Sequence, residues 1–276
     1  MTLVSAASLP LTTLTELFNA GYSDYVVPLR LDQTVFRDHV TVNDIDLDCS
    51  RVVLDAAQDG AGGAISFALI GRRGESGWVG GMGTAPGHRR RGHGERALVA
   101  AIDAARADGC RAMWLEVIEE NAAAIALYEK LGFEPVREVT VWSLVGDGER
   151  VPVARSVDPD VAHAWIIGNR ISREPWQRAD ESIARMQEAG TQLHGLVVAP
   201  GSDMSAAVVF RQDPEVVTVL QIAAIDDRSA GDALLAAATG RTLRLGNAPA
   251  DEPASRALEG LHARPVVHQR EMRLRL

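Results

Sequence analysis

The chain has 276 residues, 46% hydrophobic and 24% charged, with a formal net charge of −9. That length holds one large domain or two ordinary ones, and the composition is that of a globular protein with a sizeable core rather than a disordered chain. The acidic balance argues against nucleic acid as a partner of the whole molecule. No apolar run of about 18 residues marks a membrane span, no secretory leader is read at the start, and Cys49 and Cys110 lack metal-ligand spacing, so buried reduced thiols in a cytoplasmic protein without a metal are expected.

In chain order, Leu14, Leu17 and Phe18 at helical spacing predict a helix over Leu11–Ala20 that Gly21 can end, and Gln33–Val40 reads as a second, short helix. Arg51–Ala57, Ala64–Gly71 and Trp78–Thr84 read as an antiparallel meander, its first turn at Gln58–Gly63. Leu98, Ala101, Ile102 and Ala105 share one face of a helix over Glu95–Ala107 that Gly109 stops. Met113–Ile118 is a strand. Asn121 can cap a helix running to Leu131, with Gly132 behind it, and Val136–Leu144 closes the set.

The polar, glycine-rich stretch Val145–Arg150 reads as a linker. The same order of elements then returns: helices over Ser182–Ala189, Ala230–Ala238 and Ala254–Leu261, with strands over Leu193–Ala199, Ala206–Gln212, Val216–Ile225, Thr242–Leu245 and Val266–Leu276. Leu127–Val136 aligns with Ala257–Val266, with Glu, Leu, Pro and Val coinciding and Asn121 opposite Asp251. This reads as an internal duplication, with domains over 1–147 and 148–276.

Arg89-Arg90-Arg91-Gly92-His93-Gly94 follows an expected strand and opens an expected helix. Glycines there let a ligand approach the backbone. The first N–H groups of a helix lack internal partners and favour pyrophosphate, and arginines add charge-assisted bonds. A P-loop would need Gly-Lys-Ser/Thr, and a dinucleotide motif a parallel unit in place of a meander. His88 and His93 flank the loop.

Pro86–Leu98, together with Leu115-Glu-Val, Asn121, Ala124-Ile125, Leu127-Tyr128 and Leu131-Gly132-Phe133, resembles the GNAT superfamily of acyl-CoA-dependent N-acetyltransferases. The second block is close to the form seen in ribosomal-protein alanine acetyltransferases. The resemblance implies a mixed, mostly antiparallel, twisted sheet flanked by helices, an α/β fold of the α+β type, with its fourth and fifth strands splayed around acetyl-CoA. It implies binding by Met82, Gly83, Thr84, Arg89, Arg90, Arg91, Gly92, His93, Gly94, Glu95 and Asn121. Asn121 could hold the pantetheine arm or cap its helix.

The implied reaction is direct attack of an amine, from a small molecule or a peptide, on the thioester. Tyr128 stands at the family's proton-donor position; a phenol with a reference pKa of about 10 is protonated at neutral pH. Glu116 matches the proposed base of the alanine acetyltransferases, or else orients substrate or structure. The fourth strand, Val79–Thr84, lacks the acid that many family members carry there, and Gly81–Gly83 would permit the family's β-bulge. Asp24, among Phe18, Tyr22 and Tyr25, could attract the amine or belong to a capped turn.

In the second half Arg228-Ser-Ala-Gly231-Asp-Ala233 keeps a loose form of the loop, but Asp226, Asp227 and Asp232 would repel pyrophosphate and Leu258 replaces the tyrosine. A degenerate GNAT-like domain without a CoA motif is expected, burying a face of the first domain and walling the acceptor cleft. A non-catalytic acyl-CoA sensor and a mycothiol-synthase-like transferase are the alternatives. Either a monomer or a homodimer is compatible, since two such domains could imitate a dimer within one chain.

Overall fold

The computed structural model describes residues 1–24, 29–55, 63–146, 148, 151 and 153–276. Residues 56–62, covering the end of the expected first meander strand and most of its turn, lie outside the described residues, as do Tyr25 and residues 147, 149 and 150 of the expected linker. The chain forms two compact units. The first comprises Met1–Val117, Asn121–Val136 and Glu271–Leu276; the second comprises Ile118–Glu120 and Arg137–Arg270.

The first unit contains β1 (Thr2–Ser5), α1 (Leu11–Gly21), α2 (Gln33–Val42), β2 (Ile45–Leu54), β3 (Ala64–Arg73), β4 (Ser76–Thr84), α3 (His93–Ala107), β5 (Ala112–Ile118) and α4 (Ala122–Lys130). β6 (Glu134–Val145) begins in it. In the second unit β7 (Ala154–Val157), α5 (Pro159–Asn169), α6 (Asp180–Glu188), β8 (His194–Val198), β9 (Ala206–Gln212), β10 (Val216–Ala224), α7 (Asp227–Ala238), β11 (Thr242–Pro249), α8 (Pro253–Gly260) and β12 (Arg264–Arg275) repeat that order. The register expected for the duplication carries through: β6 and β12 span equivalent residues of the two copies. The helix caps differ from expectation by one residue, because Glu252, not Asp251, precedes α8.

The units do not divide at residue 147. Pairing outweighs linker composition: β6 pairs antiparallel with β11 from Val139 to Val145, inside the second unit. The final residues of β12 belong to the first unit, where Met272 is buried with Leu98, Met113 and Phe133, and Leu276 N–H donates to Arg111 O.

Within the first unit β1, β2, β3 and β4 pair antiparallel, and β4 meets β5 in parallel. Residues 65–71 of β3 are all buried, the pattern of a strand covered on both faces. α3 buries Ala97, Leu98, Ala101, Ile102 and Ala105, the stripe its spacing predicts. β2 starts six residues earlier than expected. Asp46 and Asp48 hide its beginning, but Asp46 is matched by Arg72 at 2.7 Å, and a register shift between Asp46 and Arg51 accommodates the polar residues. The helix α5 was not anticipated: Val161 and Ile167 are exposed while Ala162 and Ile166 are buried, so apolar residues lie all round and no stripe marks it. Its start is nonetheless well formed, with Asp158 as N-cap and Pro159 at the first turn. β1 and β7, four residues each, also fall below what periodicity resolves.

Candidate active site

β4 and β5 pair only from Ser76–Trp78 to Ala112–Trp114, although β4 runs to Thr84 and β5 to Ile118. The strands therefore part after three residues. The pairing of β3 with β4 passes from Ile70↔Val79 to Leu69↔Gly81, leaving Gly80 as the extra residue of a β-bulge. The bulge thus falls one residue before the expected Gly81–Gly83. A Cβ on Gly80 would lie 2.4 Å from Ile45 Cδ1. Gly83 serves close packing: a Cβ there would lie 3.0 Å from Gly21 Cα, so two glycines bring the end of α1 against β4.

The basic loop follows. Pro86–His88 forms a 3-10 turn, Arg90 and Gly92 have φ of +58° and +78°, and α3 starts at His93 with Gly92 as its N-cap. Glycine brings no side chain to cap the helix, so the first-turn N–H groups keep their capacity for an anion. A Cβ on Gly94 would lie 3.3 Å from both Met82 Cε and Thr84 Oγ1, so this helix start packs on the end of β4, beyond the point where β5 has parted from it.

Arg89 is engaged differently from the phosphate role expected of it. Its guanidinium donates to both oxygens of Asp24 at 2.5 and 2.6 Å, to Gly21 O at 3.1 Å and, through Nε, to Thr84 O at 2.9 Å. The Arg89 hydrogen bond draws the Asp24 carboxyl below the usual carboxylate range. Asp24 is therefore paired with an internal cation, and the pair ties α1 to the loop. Arg90 and Arg91 are exposed, and Glu95 holds Lys130 of α4 at 2.6 Å.

Glu116 on β5 is half-buried and accepts from Trp78 Nε1 at 2.8 Å, so the indole orients its carboxylate. Tyr128 on α4 is buried, its ring edge-on to Phe133 at 5.7 Å. Asn121 caps α4, Oδ1 accepting from Ala124 N at 3.2 Å. Sequence reasoning missed His39 on α2, whose Nε2 lies 3.0 Å from Gly80 O; no local pattern marks a contact between residues 41 apart.

One cluster combines acids with a thiol: Asp46, Cys49 and Asp108. Arg72 Nη1 donates to Asp46 at 2.7 Å and to Asp108 at 3.0 Å, so a guanidinium already matches the carboxylates. Burial, with the Asp108 hydrogen bond, pushes the Cys49 thiol up to about 12, away from the thiolate a metal would need. Cys110 is buried and free. No helix among the described residues is long and apolar enough to cross a membrane.

The second unit repeats the divergence and closes it. β10 and β11 pair in parallel from Val216–Val219 to Thr242–Leu245 and then part. Arg178, at the end of the turn Trp176–Arg178, lies between them: Nε donates to Leu220 O at 3.1 Å, and Nη1 lies 3.4 Å from Gly246 O and Asn247 O. Glu174 pairs with it at 3.0 Å, both side chains about 95% buried. At the start of α7 the side chain of Asp226 accepts from Ser229 N at 2.7 Å, filling the position an anion would take. Leu258, at the tyrosine position, is fully buried. The second unit thus has a carboxylate cap at the start of α7 and a guanidinium strut where β10 and β11 part.

Residues 12–133 match the model of the Acetyltransferase (GNAT) family. Over 48 residues, 17% of this chain and 32% of the relative, the sequence is 50% identical to ribosomal protein bS18-alanine N-acetyltransferase of Escherichia coli strain K12. The chain spans only 21% to 32% of the length of the first curated relatives it matches. The GCN5-related N-acetyltransferase from Sphaerobacter thermophilus superposes with a TM-score of 0.72 at 14% identity, covering 99% of this chain and 95% of that one. A tandem GNAT protein from the clavulanic acid biosynthesis pathway gives 0.65 at 16% identity, covering 99% and 98%. These structures share the fold over both units. Residues 12–133 are therefore a domain of the acetyltransferase (GNAT) family, in a chain built from two GNAT-fold units.

Proposed function

We propose that the first unit transfers an acetyl group from acetyl-CoA to a primary amine by direct attack, and that the second unit binds no acyl-CoA. The observation that carries this reading is the side-chain-free start of α3, packed on β4 where β4 and β5 part. Its N–H groups, with Arg90 and Arg91, suit a pyrophosphate, while the parted strands leave unpaired backbone for an extended pantetheine arm. In the reaction the amine nitrogen bonds the thioester carbon and the carbon–sulfur bond breaks. The thiolate takes a proton from Tyr128, and the amine gives up its proton to Glu116, directly or through water. The similarity to an alanine N-acetyltransferase supports an amine as the acceptor class.

Acetyl-CoA at a hundredfold excess over its Kd is expected to stabilise the first unit by about 2.7 kcal/mol, read as a thermal shift, with one equivalent bound per chain by calorimetry. Thiol release across a panel of small amines and peptide N-termini then reports transfer. Absence of any shift with acetyl-CoA or CoA refutes the reading; binding without thiol release for any amine leaves a sensor. Gly94→Val places methyl groups within the 3.3 Å contacts to Met82 and Thr84 and pushes α3 off the strand. It should weaken acetyl-CoA binding by about tenfold or more, on the order of 1.4 kcal/mol, measured by calorimetry.

A further inference from the structure

We infer that His39 is a positioning residue for the transfer, acting through the backbone of the β4 bulge. The inference rests on the acetyl transfer proposed above. Gly80, the bulged residue, lies two positions beyond Trp78, the last residue of β4 paired with β5. The bulge therefore sits where the cleft opens.

Gly80 O lies 3.0 Å from His39 Nε2. A carbonyl only accepts, so Nε2 carries the proton. Asn43 Nδ2, which can only donate, lies 3.2 Å from His39 Nδ1, and it also donates to His39 O at 3.0 Å. Only the neutral Nε2–H tautomer satisfies both neighbours. The ring is held among Phe18, Phe36 and Trp78, with centroids 5.9, 6.4 and 6.3 Å away. Burial pushes its pKa below the ordinary histidine value, in keeping with the neutral form.

The bulge is followed by Gly81 and Gly83, a stretch with unusual backbone freedom. All described peptide bonds are trans, and in a trans peptide the C=O and N–H point in opposite directions. Anchoring Gly80 C=O therefore fixes the direction of Gly81 N–H. As the amine adds to the thioester, negative charge grows on the carbonyl oxygen, and backbone donors help only if their orientation is set in advance. His39 supplies that preorganisation at Gly80, the bulged residue that has no register partner on β3.

The test compares wild type, His39→Phe and His39→Gln in steady-state transfer to a reactive amine, with acetyl-CoA thermal shifts alongside. Phenylalanine keeps a ring in the aromatic cluster but has no donor. Glutamine carries an N–H donor at a similar reach. His39→Phe is expected to lower kcat about 10- to 100-fold, a fraction of what losing a whole oxyanion donor costs. KM for acetyl-CoA and the acetyl-CoA shift should stay within about twofold, and His39→Gln should recover most of the loss. An active wild type with an unaffected His39→Phe overturns the inference alone. So does a glutamine variant as impaired as the phenylalanine one, since that outcome assigns the effect to packing. A wild type that neither binds acetyl-CoA nor releases thiol overturns the parent reading and this inference together.

Discussion

Replacing Tyr128 with phenylalanine is expected to lower kcat by about 10²- to 10⁴-fold, the range of a lost general acid. The affinity for acetyl-CoA and the stability of the first unit should change little. The ring is buried and packs edge-on against Phe133 at 5.7 Å, contacts that phenylalanine preserves. What disappears is the phenolic proton, which in the proposed reaction neutralises the departing thiolate. An amine-dependent thiol-release assay, run beside calorimetry with acetyl-CoA, separates the two quantities. Equal loss of turnover and affinity would assign Tyr128 to the binding surface. A donor thioester with a less basic leaving thiol offers a second check: if proton donation is the role, its turnover should suffer less from the substitution.

Arg178→Met should destabilise the second unit by about 3–5 kcal/mol, the cost of breaking a buried ion pair from one side. The substitution leaves Glu174, 4% exposed, without the cation 3.0 Å away, and leaves Leu220 O without its donor. Two units need not unfold together, so amide hydrogen exchange in β10 and β11 is the suitable readout. Adding Glu174→Gln should recover much of the loss, because the stranded charge is then gone. Burial raises the Glu174 carboxyl to about 7, with Arg178 opposing that rise. Because its folded pKa lies above the unfolded one, the stability it contributes is complete below the ordinary glutamate value and is lost as pH rises through about 7. The Arg178→Met defect should therefore be milder at pH 5, where Glu174 can protonate, than at pH 8. A defect independent of pH would count against this account of the strut.

Much of this molecule was legible along the chain because its determinants are local. The stripe of α3, the cap Asn121, the glycines that end α3 and α4, and the loop opening α3 all lie within a turn or two of what they control. The duplication was legible because both copies keep the proline and the helix–strand spacing. Local signals cancel in two places: α5 is apolar all round and was missed, and the start of β2 was hidden by acids, of which Asp46 is matched by the distant Arg72.

The sequence by itself determined the repeated order of elements, the glycine-capped start of α3 and the loss of tyrosine at position 258. Tertiary structure alone decided the partners. Asp24 meets Arg89 across 65 residues, His39 meets Gly80 across 41 and Arg178 meets Leu220 across 42. It also decided which unit each end of β6 and β12 completes. Helix spacing and capping follow from neighbours in the chain, whereas charge pairing, bulge geometry and strand membership depend on which distant segments the sheet brings side by side. Similar residue types thus sit differently in the two units: Gly92 leaves the start of α3 without a side-chain cap, whereas in the second unit Asp226 caps α7 and Arg178 donates to Leu220 O.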